Sequence, residues 1–560
     1  MRRSLSLTGS ACVFLVGCSG NPFGSAEGDY AKRVSLERLR HVQPSTIAEY
    51  RRAEDPAPPD PQAARRRFEG VEKLELSLEE GRASALRHNL DLSVALLNPT
   101  IAAQEVSIEE ARFESLFTLR AGYGHFDSPT SSNLASAQSR NLSLFPAVRI
   151  PTRTGGSVGV GLPLNRNEND NQFSTLNPAY SSDLEFSLSH QLLRGAGRRV
   201  NTAALRIAGY NLQATEAQTK LEVIRQLAAV DRSYWRLFQA RRELEVAQQQ
   251  YELAREQEGR AQRRTDAGLS PSIEVVRAQA GVADRLEAII VAQNNVLLQQ
   301  RELKRIINLP GLTLDTKTMV APTTPPDPVE YVFDQDRLVA QALDNRMEML
   351  ELELRLAADA ANISVARNQT LPLLALDYTY RINGLGGSSQ DSFHSLQRNR
   401  FEDWELGLTA EIPLGNEAAR AQLRAAILQR LQRLSTREAR RLAITQEVLN
   451  AIDAIDAGWQ RVLAARQSVI LNRRALEGEQ RQFDVGGSTS TNVLDAATRL
   501  AEAEFSEARA LADYQIAQVD LAFATGTLLG AAKVAWEPTG LPEDRSTPAE
   551  DLSPALLPSP

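Results

Sequence analysis

The chain has 560 residues, 63 Lys and Arg against 70 Asp and Glu, a net charge of −7 and only 6% aromatics; that balance lacks the basic, aromatic-laced face that a nucleic-acid binder needs. Two cysteines, Cys12 and Cys18, and five scattered histidines, His41, His88, His125, His190 and His394, make neither a disulfide framework nor a ligand set, so neither a metal nor a cofactor is expected. With no convergent nucleophile, base or oxyanion donor, the expectation is a protein that performs no chemistry.

The N-terminus reads as an export signal. Arg2 and Arg3 precede an apolar stretch from Leu5 to Val16 that is too short to span a bilayer. It closes on Leu15-Val16-Gly17-Cys18, which is similar to a bacterial lipobox. That likeness implies removal of residues 1–17, lipidation of Cys18 and, with Ser19 next, sorting to an outer membrane. Cys12 leaves with the signal, so the mature chain has no disulfide partner. Residues 18–73 read as an extended linker containing Asp55-Pro56-Ala57-Pro58-Pro59-Asp60-Pro61. Beyond residue 18 no apolar run reaches the roughly 18 residues of a transmembrane helix, so a membrane crossing would have to be made by strands.

Residues 74–310 and 335–530 are expected to be two copies of one unit, with a linker at 311–334 and a Pro-rich tail at 531–560. Asp183-Leu184-Glu185-Phe186-Ser187-Leu188-Ser189 returns as Asp403-Trp404-Glu405-Leu406-Gly407-Leu408-Thr409 at an offset of 220. Ala267-Gly268-Leu269 returns as Val485-Gly486-Gly487 at 218, and Leu119 to Tyr123 pairs with Leu376 to Tyr380 at 257. The difference between 257 and 220 leaves about 37 extra residues between the first copy's two strands. That segment, rich in Ser, Asn and Pro between 128 and 181, is expected to be a surface loop or hairpin. Its Gly155-Gly156-Ser157-Val158-Gly159-Val160-Gly161 fits a strand better than a phosphate loop, because Pro163 follows where a helix would be needed.

Each unit predicts helix, strand, strand, long helix, tight turn, helix. The first helices fall at about 77–112 and 335–368, the long ones at about 195–265 and 415–485. About 70 residues at about 1.5 Å each give roughly 105 Å, the length of a coiled coil or tube rather than of a compact core. Val223, Leu227, Val230, Tyr234, Leu237, Leu244 and Tyr251 mark one seven-residue seam. Val448, Ile452, Ile455, Trp459, Val462, Val469, Leu476 and Phe483 mark the second, and Val275, Val282, Ile289, Val296 and Leu303 the first return helix. Each long helix ends at a glycine, Gly268 or Gly486, suited to a positive φ. In the strands, Leu374, Leu376, Tyr378 and Tyr380 and then Trp404, Leu406, Leu408 and Ala410 alternate with polar residues. That alternation fits a lipid-facing barrel wall, and equally a soluble antiparallel sheet.

This order, in duplicate behind a lipobox, resembles the outer membrane efflux proteins, the TolC-like family of channel-tunnels, over roughly residues 74–530. The resemblance is carried by Leu76-Ser77-Leu78-Glu79-Glu80, Gln191-Leu192-Leu193, Ile412-Pro413-Leu414 and the two turns. It implies an α+β membrane protein: a homotrimer whose protomers give four strands each to a twelve-stranded transmembrane barrel, continued by a long α-helical coiled-coil tunnel in the periplasm. It further implies a passive exit duct of a tripartite efflux or type I secretion system, working with a periplasmic adaptor (membrane fusion protein) and an inner-membrane pump. Gly268, Leu269, Gly486 and Gly487 would then be adaptor-contacting tip residues, with Gly487 departing from the family's usual tip pattern. Asn492 and Asp495 fall where the family has its periplasmic constriction carboxylates; Asp495 is equally readable as a solvated helix-surface carboxylate. The rival function is a barrel-anchored trimeric scaffold or adhesin without transport, which would need neither matched hairpins nor a glycine turn at the far end of each.

Overall fold

The computed structural model describes residues 47–50, 66–131, 136–269 and 271–536. Contacts separate residues 1–60 from 61–560; of the first unit only the turn Ile47–Tyr50 is described, and every element below belongs to the second. Cys18, the signal, most of the linker and the tail beyond Trp536 lie outside the described residues.

The helical half follows the seven-residue seams. Helices α1 (Leu78–His88) and α2 (Leu90–Ala111) open the first unit, and α3 (Arg198–Asn201) leads into the 64-residue α4 (Ala203–Asp266), which α5 (Ile273–Ile307) follows. In the second unit α6 (Gln335–Asn345) and α7 (Met347–Gln369) precede the 68-residue α9 (Glu417–Asp484) and α10 (Ser490–Ala524), and α11 (Leu528–Ala531) is the last helix among the described residues. Val230, Leu237, Ile289, Val296 and Leu303 are buried where α4 meets α5, and Leu227 is buried in a cluster with Leu92 of α2 and Val519 of α10. Val448, Ile452, Ile455, Val462, Val469, Leu476 and Phe483 are buried along α9 against α10. Burying a side chain of that size contributes about 1.5–3 kcal/mol each, so the seams hold the hairpins together.

Each opening helix is broken in two, at Asn89 and at Arg346, where one continuous helix was expected. The capping box of Ser77 and Glu80 starts α1. Asn89 then ends α1, caps α2 by accepting from Leu92 N, and donates to the Ile306 carbonyl at 2.9 Å. Arg346 donates to the Ala524 carbonyl at 3.2 Å. Both breaks therefore tie to the end of the return helix, so the duplication extends to the break itself. Pro99, inside α2, does not interrupt it. Around Arg346, burial pushes Glu348 up, but hydrogen bonds from Arg346, its own backbone amide and Arg440 outweigh that and hold its carboxyl at about 2.

The inter-repeat linker carries a strand. Strand β1 (Lys73–Leu76) pairs in parallel with β8 (Met319–Pro322), and Tyr234 donates to the Leu76 carbonyl while accepting from Thr324 N.

The sheet corrects two expectations. The described residues of 128–181 form strands of the sheet, including a hairpin about Gly155, rather than a surface loop, and the chain supplies more than four strands. β2 (Leu116–Asp127) pairs with the 15-residue β3 (Gln138–Thr152), which pairs in turn with β4 (Gly156–Gly161) and β5 (Leu164–Asn169). These two occupy one line, parted at Leu162 and Pro163; Leu162 N donates to the Pro146 carbonyl, and the Pro163 carbonyl accepts from Asp183 N. β6 (Ala179–Ser182) lies beside β5, β7 (Leu184–Gln191) beside β4, β9 (Leu373–Ile382) beside β7, and the short β10 (Leu385–Gly386) beside β6. β11 (Glu402–Glu411) pairs with β9. The wall thus has six strand lines: β2, β3, β4–β5, β6–β7, β9–β10 and β11. The physical reason is pairing: β3 finds partners on both sides, and a turn at Gly155, φ 102°, reverses the chain so tightly that a Cβ there would lie 2.2 Å from the Gly195 carbonyl oxygen. Helix α8 (Ser389–Gln397), not anticipated, sits against β6 and β10 through a 2.7 Å contact between the Ser182 and Ser392 hydroxyls.

Candidate functional site

The first functional surface is the wall. Antiparallel registers put Phe117, Leu119 and Tyr123 of β2 opposite Val148, Pro146 and Leu142 of β3. The same face continues through Val158 and Val160, then Leu188 and Phe186, then Tyr378 and Tyr380, and ends on Leu406 and Trp404. Most of these side chains are solvent-exposed in one chain, Phe117 at 65% and Trp404 at 67%, as is Leu408 at 64%, while Pro146 and Tyr380 are half-buried. A soluble sheet buries its apolar face; six strand lines that expose theirs together need an apolar solvent. The opposite face carries Arg120, Asn141, Ser143, Ser157, Ser187, Asp377, Thr379, Glu405 and Thr409 at the alternate positions. Among the described residues no helix is long and apolar enough to cross a membrane.

The second surface lies at the far end of the long helices. α4 closes in a Schellman turn: Leu269 N donates to the Arg264 carbonyl and Gly268 N to that of Thr265, with Gly268 at φ 72°. α9 repeats it, with Gly487 N on the Gln482 carbonyl, Gly486 N on that of Phe483, and Gly486 at φ 84°. Leu269 is 71% and Val485 84% exposed, so each tip shows one large apolar side chain to its surroundings. Gly487 is not held at positive φ; a Cβ there meets nothing nearer than the Gln482 carbonyl at 3.5 Å.

The structure brings the two tips of one chain together, which the sequence pattern did not indicate. The Arg264 guanidinium donates to the Phe483 carbonyl and lies 4.8 Å from that ring's centre, while Arg260 reaches Asp484 at 3.6 Å. On the return helices Glu274 accepts from Ser490 N and Arg285 donates to Thr498 Oγ1. The only sequence signal was that Arg264 and Phe483 flank the duplicated turn.

Asn492 and Asp495 lie on the exposed face of α10, opposite the buried Val493, Ala496, Ala497 and Leu500 that pack against α9. Asn492 is engaged locally: its N–H donates to the cap Thr489 and its amide to Ser488 Oγ. Asp495 projects free of the packing, with Arg499 exposed one turn further on.

An antiparallel sheet that is apolar on one face and polar on the other, carried on long glycine-turned helical hairpins, fits a membrane channel with a helical extension. A sequence profile described as Outer membrane efflux protein matches residues 156–309 and 338–527, more than half of the chain. Outer membrane protein TolC of Vibrio cholerae is 27% identical over 306 residues, 53% of this chain and 67% of that protein. The pyoverdine export outer membrane protein OpmQ of Pseudomonas putida is 25% identical over 369 residues, 64% of this chain and 72% of its own. Among solved structures, the outer-membrane channel OprN superposes with a TM-score of 0.61 at 18% identity, covering 80% of this chain and 90% of its own. The Campylobacter jejuni CmeC outer membrane channel gives 0.60 at 16% identity, covering 80% and 86%. The chain belongs to the outer membrane efflux protein family: it is an outer-membrane efflux channel.

Proposed function

We propose that three copies of this chain assemble around one axis into a passive duct, with the sheet in the outer membrane and the helical hairpins in the periplasm. In this reading Gly268, Leu269, Gly486 and Gly487 meet a periplasmic adaptor at the hairpin tips, and an inner-membrane pump delivers the cargo of efflux or type I secretion. Asp495, with Asn492 one turn before it, lines the narrow end. Cys18 carries the lipid, and the duct itself makes and breaks no bonds.

The carrying observation is the pair of surfaces on one compact unit: an exposed apolar sheet face and, at the far end of the long helices, exposed apolar tips on matched turns. A single chain cannot satisfy its own wall, because both outer strands leave open backbone edges, and in lipid every backbone group must be paired. The test is sizing of the purified protein in detergent followed by planar-bilayer conductance. A trimer that conducts supports the duct; a trimer that inserts and never conducts would move the reading to a non-transporting envelope scaffold.

A further inference from the structure

Among the described residues β2 pairs only with β3 and β11 only with β9, so Leu116–Asp127 and Glu402–Glu411 each leave a row of backbone N–H and C=O groups open. An exposed edge of that length templates pairing with another chain. Three features say which chain. β2 begins where α2 ends and β11 ends where α9 begins, so the two edges run in opposite directions relative to the helices and would meet antiparallel. The apolar face is present at both edges, as Phe117, Leu119 and Tyr123 on one and Trp404, Leu406 and Leu408 on the other. On the polar face Arg120 stands at one edge and Glu405 at the other, an opposite-charge match that adds to strand pairing; Glu411 and Asp403 of the same edge are already engaged by Arg194 and Asn383.

We infer that the occupant of each edge is a second copy of this chain, β11 of one protomer pairing with β2 of the next, and that three protomers close a barrel of eighteen strands. The inference rests on the trimeric duct proposed above and replaces the twelve strands that the resemblance implied. Six lines cannot close within one chain, because even eight strands leave an interior only just wide enough for side chains. At a strand spacing of about 4.8 Å and a tilt of about 40°, eighteen strands give a backbone diameter of roughly 36 Å, and twelve roughly 24 Å. The two lines beyond four, β3 and β4–β5, come from the extra residues between β2 and β7, the first copy's two duplicated strands. The wall is therefore about one and a half times as wide as four strands per protomer would make it.

The test is disulfide mapping in the full chain, in outer membranes. Leu406→Cys is combined in turn with Leu119→Cys, Ala121→Cys and Tyr123→Cys, three same-face positions that cover neighbouring registers, and separately with Val158→Cys. Eighteen strands predict that oxidation converts most of the protein to covalently linked dimers and trimers in at least one β2 combination. The Val158 combination should stay monomeric in a denaturing gel, since β4 lies between β3 and β7. A Leu406 to Val158 link means that β2 and β3 stand outside the wall, and overturns the inference while leaving the duct intact. Failure of all three β2 combinations to link in a protein that still sizes as a trimer overturns it equally. Electron microscopy of the unsubstituted trimer, viewed down its axis, gives an answer that no folding defect can obscure: a ring of about 36 Å supports eighteen strands, one of about 24 Å refutes them. An unsubstituted protein that forms no trimer defeats the duct reading itself.

Discussion

Replacing the second-tip glycines one at a time separates backbone strain from surface contact. Gly486 sits at φ 84° and Gly487 outside the positive region, although both are exposed in one Schellman turn. A Cβ at Gly486 meets only the Arg264 side chain at 3.8 Å, and one at Gly487 only the Gln482 carbonyl at 3.5 Å. Steric clash therefore opposes neither substitution, and what remains is the backbone. Gly486→Ala should cost about 1 kcal/mol, because an L side chain in the left-handed region crowds its own carbonyl. Three tips in a symmetric trimer make about 3 kcal/mol per channel, whereas Gly487→Ala should be nearly neutral. Gly487→Leu should also be tolerated, and it recreates at the second tip the glycine-leucine pair of Gly268 and Leu269. The assay is retention of a fluorescent pump substrate in cells whose chromosomal copy is replaced, with trimer content in the membrane as control. We expect retention to rise in Gly486→Ala and stay unchanged in Gly487→Ala, with trimer levels equal. If Gly487→Ala impairs efflux as much as Gly486→Ala, the tip acts by contact and the strain argument fails.

Glu348, held at about 2, contributes roughly 3 kcal/mol at neutral pH relative to an ordinary carboxyl. Its folded value is depressed, so that stability is complete above about pH 4.5 and is lost as pH falls toward 2; Glu348→Gln should flatten the thermal-unfolding slope of the helical signal across that window, and an unchanged slope would remove the group from the account. Asp495, repeated three times at roughly 8 Å and an effective dielectric of about 20, would repel its copies by about 2 kcal/mol per pair. Such a ring should favour cations and bind a trivalent hexammine cation weakly, since Asn492 adds no second ring and Arg499 offsets the charge; single-channel block that survives in Asp495→Ala places the constriction elsewhere. For Cys18, intact mass should show an acylated N-terminal residue, and Cys18→Ala should impair sorting more than it releases assembled trimer; a mature N-terminus elsewhere without lipid defeats that expectation.

What the sequence determined by itself is whatever local chemistry controls. Seven-residue spacing of Val448, Ile455, Val462, Val469, Leu476 and Phe483 specifies a seam whichever partner covers it, and all six are buried. Gly268 and Gly486 mark the turns because only glycine takes a positive φ without strain. Period-two alternation announced β9 and β11. Tertiary structure decided what depends on groups far apart in the chain. The breaks at Asn89 and Arg346 exist because each residue can reach a carbonyl at the end of a return helix, Ile306 or Ala524. The tip link exists because Arg264 lies beside Phe483, 219 positions away. The segment 128–181 looked like a loop because Pro146, Pro151 and Pro163 interrupt its pattern, and proline cannot donate to a ladder. Its Leu142, Leu144, Val148 and Ile150 nevertheless alternate, and they became a wall strand only because β2 on one side and β4–β5 on the other supplied the pairing. A strand is stabilised by its neighbours rather than by its own residues, so the width of the sheet was legible only once the chain had folded.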